Sequence, residues 1–63
     1  MNKENLNTPK RVWVNSPSTL QPYHELHGRI GIAVLIKDEV RIYFTEGSVH
    51  NQQIDPLYLS EKH

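Results

Sequence analysis

The chain has 63 residues, no cysteine, and seven Lys plus Arg against seven Asp plus Glu, giving a formal net charge of zero with its four histidines neutral. That size allows one domain at most and argues against a large catalytic cleft. The absence of cysteine excludes a disulfide framework, a thiolate metal cage and a cysteine nucleophile, so packing or a partner must supply the stability.

Residues 1–10, "MNKENLNTPK", are polar, contain Pro9 and show neither a period of two nor one near 3.6, which predicts a flexible arm. The segment "RVWVN" follows as a short strand, with Val12 and Val14 on one side and Trp13 on the other. Asn15-Ser16-Pro17-Ser18 ends it with turn-forming residues. From there to Gly28 the two prolines and mixed polarity predict a long loop, of the kind that small barrels place between their first two strands.

Arg29 to Lys37 alternates clearly. Ile30, Ile32, Val34 and Ile36 share one face, expected to be the core. Gly31, Ala33 and Leu35 take the other, a face small enough near its start to approach another backbone. Lys37-Asp38-Glu39 is a short turn, and Val40 to Phe44 returns with Val40, Ile42 and Phe44 inward and Arg41 and Tyr43 outward, making a hairpin. Thr45-Glu46-Gly47-Ser48 reads as a further turn and "VHNQQI" as a shorter, polar strand with a bulge. Asp55-Pro56 breaks that strand, and "LYL" closes the domain before the charged end.

The expected architecture is therefore all-β: a small barrel of about five strands over 11–60, with an arm at 1–10 and a tail at 61–63. Its expected core is Val12, Val14, Ile30, Ile32, Val34, Ile36, Val40, Ile42, Phe44, Ile54, Leu57 and Leu59. Closure into a barrel also removes the sticky edges that an open apolar sheet would expose.

The order of "RVWV", "HGRIGIAVLI" with Gly28 and Gly31 around a basic residue, "VRIYFTEG" and "IDPLYL" resembles the SH3-like barrel in its KOW-type variety, over most of the chain. In size and layout it is similar to small accessory subunits of cyanobacterial and plastid photosynthetic complexes. It departs from them before the first strand, with Thr8-Pro9-Lys10 in place of a glycine-plus-basic lead-in. The resemblance implies a non-catalytic protein that docks on a larger assembly; the barrel itself hosts many unrelated functions.

Catalytic and metal chemistry find little support. His24-Glu25-Leu26-His27 approaches the zinc-protease pattern H-E-x-x-H, but its histidines are three apart where a helix face needs four, and the segment between Pro22 and Gly28 has no room for a stable helix. Only His50 and His63 could add nitrogen ligands, so the pair is expected to lie in a solvated loop and no metal or cofactor is expected. Ser16, Ser18, Ser48 and Ser60 lie in turns or the tail outside any nucleophile elbow. Asp38 and Glu39 are expected to be solvated, which disfavours a raised catalytic pKa. The chain is accordingly read as not an enzyme.

Aromatic and cationic residues are more informative. Trp13 and Tyr43 take outward parity, Tyr23 in the long loop can join them, and Arg29 and Arg41 are near in sequence; Trp, Tyr and Arg carry most interface energy. Trp13 has a second reading, as a residue packed under the long loop. The expected function is an accessory or regulatory module that docks through one barrel face and the 15–29 loop, with Trp13, Tyr23, Arg29, Arg41 and Tyr43 at the contact. The rival is an RNA- or DNA-binding barrel using Lys3, Lys10, Arg11, Arg29 and Arg41 on phosphates. Neutral net charge and the lack of a stacking row disfavour that rival. The apolar run Ile32 to Ile36 is too short to span a bilayer and the start lacks a signal-peptide core, so a cytoplasmic location is expected, with peripheral attachment to a membrane complex left open.

Overall fold

A computed structural model of the chain describes residues 1–47 and 50–63. Five antiparallel strands, β1 (Lys10–Val14), β2 (Ile30–Ile36), β3 (Glu39–Phe44), β4 (Asn51–Gln53) and β5 (Leu59–Glu61), form one sheet in the order β4-β3-β2-β1-β5. The only helical pieces among the described residues are short 3-10 turns at Lys3–Leu6, His24–Leu26 and Pro56–Tyr58. The protein is a small all-β domain with a long first loop, as the alternating, β-branched segments predict.

The hairpin of β2 and β3 is set by its turn. Ile36 pairs with Glu39, leaving Lys37 and Asp38 as a two-residue connection whose φ angles are 51° and 66°. Positive φ at both central positions is the geometry whose twist matches the flanking strands. Glu39, expected in the turn, begins β3 instead.

On β1, Val14 N–H donates to Arg29 O and Gly28 N–H to Val14 O, at 2.9 and 2.8 Å, which closes the base of the long loop. On its other side β1 meets β5, and Lys62 N–H donates to Arg11 O at 2.8 Å, so the sheet runs past the expected boundary at residue 60. The Asp55 carboxylate caps the last 3-10 turn by accepting from Leu57 N–H at 3.0 Å. The expected turn through Ser48 and the strand start at Val49 lie outside the described residues; the strand is β4, and Ile54 N–H beyond it still donates to Val40 O.

The core consists of Leu6, Val12, Val14, Leu26, Ala33, Val40, Ile42, Ile54 and Leu59, with Tyr23, Leu35 and Phe44 packed against it. Three expectations are corrected here. The face of β2 is reversed: Gly31 and Ala33 are buried, Ile30 and Val34 are half-buried, and Ile32 and Ile36 are 37% and 43% exposed. The reason is space. A Cβ on Gly31 would stand 2.6 Å from the Tyr43 carbonyl oxygen and 2.9 Å from Ile42 Cγ1, so at this point the inward face of β2 has no room for a side chain; Leu35, further along the same face, packs on the core.

The volume those small residues leave is filled from the segment expected to be a flexible arm. The Lys3–Leu6 turn packs on β2, Leu6 is fully buried, and the Met1 amino group donates to Pro56 O at 2.8 Å. Leu57, expected in the core, is 71% exposed because it rides the outside of the Pro56–Tyr58 turn.

Candidate functional site

Residues directly opposed in an antiparallel sheet share a face. The register therefore lays out the outer face in rows: Trp13 beside Ile30; Arg11, Ile32, Tyr43 and Asn51 across four strands; Val34, Arg41 and Gln53; and Ile36 beside Glu39. Ile30, Ile32, Val34 and Ile36 of β2 make an apolar stripe down its centre. Tyr43, 41% exposed, extends the stripe onto β3, and half-buried Trp13 extends it onto β1.

Charge rims this stripe. Arg41 donates to Glu39 Oε2 at 2.8 Å and, from Nε, to Asn51 Oδ1 at 3.3 Å, which fixes its guanidinium against the face. Arg11 is exposed, and among the described residues its side chain forms no ion pair. At the end of the long loop, Arg29 lies over the Phe44 ring at 4.1 Å and donates to the Glu46 carbonyl oxygen. A groove of about 530 Å³ runs between that loop end and the 45–46 turn, lined by Arg11, His27, Arg29, Ile30 and Glu46 among others.

Of the five residues expected at a contact, Trp13, Arg41 and Tyr43 come together on this face, and Arg29 borders it. Tyr23 lies elsewhere. Its ring meets Tyr58 edge-on at 5.6 Å between centroids, its hydroxyl accepts from Asp55 N–H at 3.2 Å, and it packs on the core. Trp13 is half-buried on the outer face, and its ring meets His27 of the long loop edge-on, at 6.1 Å. Ile32, Ile36 and Arg11 belong to the face and were not anticipated there. Alternation alone put Ile32 and Ile36 on a shared face; that this face is the outer one follows from the crowding at Gly31, where β2 pairs with β3.

His24 and His27 are in the loop. Both rings turn onto Ser16, which is fully buried: Ser16 N–H donates to His27 Nδ1 at 3.0 Å, and His24 Nδ1 lies 3.0 Å from Ser16 O. The Ser16 hydroxyl donates to the Pro22 carbonyl oxygen, so every polar atom of this buried residue is satisfied within the loop. Among the described residues no three His, Asp or Glu side chains converge as a metal site.

A second cleft, of about 350 Å³, lies on the other side, where Lys3 Nζ donates to Asp38 Oδ1 at 2.5 Å beside Tyr23, Glu39 and Asp55. The hydrogen bond to Asp38, with that carboxylate's charge, raises the Lys3 ammonium above its ordinary pKa. No helix among the described residues is long and apolar enough to cross a membrane. Comparison with known families, curated proteins and solved structures returns no match.

Proposed function

We propose that the chain is a non-catalytic accessory module that docks on a larger protein assembly through the outer face of its sheet and the adjoining 15–29 loop. The observation that carries this reading is the exposed stripe of Ile32, Ile36 and Tyr43 beside Trp13, rimmed by Arg11 and Arg41. Isolated exposed apolar residues are ordinary, but a contiguous apolar row edged with Arg and aromatic side chains has the composition of a contact surface.

The SH3-like reading adds support. Five short antiparallel strands with a long loop after the first fit the layout expected of that barrel. The assembly the resemblance suggests is a photosynthetic complex.

Nucleic acid is the weaker reading because three of the five cations it would use are engaged within the chain. Lys3 pairs with Asp38, Arg41 with Glu39, and Arg29 is held over Phe44 and against Glu46 O. The test is affinity capture from the native source with the wild-type chain and with Ile32→Asp as control, with partners identified by mass spectrometry. Recovery of one assembly by the wild type and its loss with Ile32→Asp supports the proposal. Recovery of no assembly, or of RNA released by salt, overturns it.

A further inference from the structure

We propose that His24 and His27 form a pH-sensitive latch on the long loop, closed while His27 is neutral and opened when it takes a proton. The latch goes beyond the docking proposal and does not depend on it. Its geometry follows from the peptide groups of Ser16. An N–H can only donate, so His27 Nδ1, 3.0 Å from Ser16 N, is an acceptor and its ring carries its proton on Nε2. A carbonyl oxygen can only accept, so His24 Nδ1, 3.0 Å from Ser16 O, carries hydrogen. Two histidines three residues apart thus hold opposite tautomers against the two sides of one residue.

Acid acts on them unequally. A doubly protonated His24 still donates from Nδ1, so its bond survives. A doubly protonated His27 presents an N–H to the Ser16 N–H, and the bond becomes a repulsion. Ser16 is fully buried, so its amide then has no water to turn to. His27 itself is exposed and open to solvent protons.

The groups around His27 are Arg11, Arg29 and Glu46 across the groove and Trp13 edge-on, with His24 and Glu25 on its own turn. Opening would free the Ser16 amide from the His27 ring and slacken the Asn15–Pro22 side of the loop, which would then be held to the His24–Leu26 turn through His24. The loop is the one assigned to docking above, so acidification would loosen that part of the surface; this consequence alone rests on the docking proposal.

The test is NMR on the intact chain from about pH 8 to about pH 5, the interval in which histidine titrates. At the upper end, ring nitrogen shifts should show His27 protonated at Nε2 and His24 at Nδ1. As pH falls, the hydrogen-exchange protection factor of the Ser16 amide should drop about tenfold in the wild type and in His24→Asn. It should stay level in His27→Asn, whose amide oxygen keeps an acceptor near the Nδ1 position but cannot titrate. A proton on His27 Nδ1 at the upper pH, constant Ser16 protection in the wild type, or a pH dependence that persists in His27→Asn would overturn the latch. The wild-type measurements decide the matter even if a variant folds poorly. None of them involves a docking partner, so the two proposals fail separately.

Discussion

Ile32 and Ile42 are the same side chain on neighbouring strands of one sheet, facing opposite ways, and replacing each by Ala separates the two faces experimentally. Ile42 is fully buried, so truncation removes the transfer free energy of its methyl groups and leaves a cavity in the core cluster, at a cost of about 2–5 kcal/mol. Ile32 is 37% exposed and any space it vacates opens to water, so only a partial transfer loss remains, roughly 1–1.5 kcal/mol. A domain of this length has a total stability of about 3–9 kcal/mol, so the first variant should be near unfolding and the second plainly folded.

Urea titration followed by the emission of Trp13, the single tryptophan, gives both values, with the slope confirming that the same surface is exposed on unfolding. Ile42→Val, at about 0.5–1.5 kcal/mol, keeps the core side of the comparison measurable if Ile42→Ala does not fold. Equal costs for the two alanine variants, or a larger one at Ile32, would refute the facing assigned to β2.

Gly31→Ala should destabilise by about 1–3 kcal/mol or more by calorimetry, since its new methyl meets the Tyr43 backbone and not a side chain that can swing away. Leu6→Ala should cost about 2–5 kcal/mol in the same urea assay, where a solvated arm would give no change. Replacing Lys37-Asp38 by Asn-Gly should raise the melting temperature by several degrees, about 4–8 °C per kcal/mol, because it relieves positive φ at a lysine and the exposed ion pair it sacrifices is screened by water. With a captured partner in hand, Trp13→Ala and Tyr43→Ala should each weaken binding by at least ~1 kcal/mol in a calorimetric titration, and Lys62→Ala should not.

The hairpin of β2 and β3 was legible because period-two alternation and a polar turn are local properties. The facing of β2 was not, because hydrophobicity favours putting isoleucines inward, whereas the close approach of Tyr43 to Gly31 is a property of two strands together. Leu6 was hidden for a related reason: one leucine among polar residues has no period, and its burial depends on space that Gly31 and Ala33 leave on another element. Trp13, Arg41 and Tyr43 could be grouped from parity alone. Tyr23 could not, since a loop residue with φ of 64° has no parity to read. Ser16 read as a turn residue, and its burial under two imidazoles arises only when the loop folds back on itself.

The adjacency of β1 and β5 has a kinetic consequence. Val12 lies opposite Glu61, and Val14 opposite Leu59, across almost the whole chain. The β2–β3 hairpin closes through two residues and forms on the microsecond scale, but the β1–β5 ladder closes a loop of dozens of residues, whose entropy must be lost before any of its contacts form. Sheets dominated by such distant pairings fold in milliseconds to seconds. During synthesis the interval is longer. Until Leu59–Glu61 has left the ribosome, β1 has an unpaired edge and Val12 and Val14 lack their final cover, so a stalled chain of this protein is one that chaperones should bind.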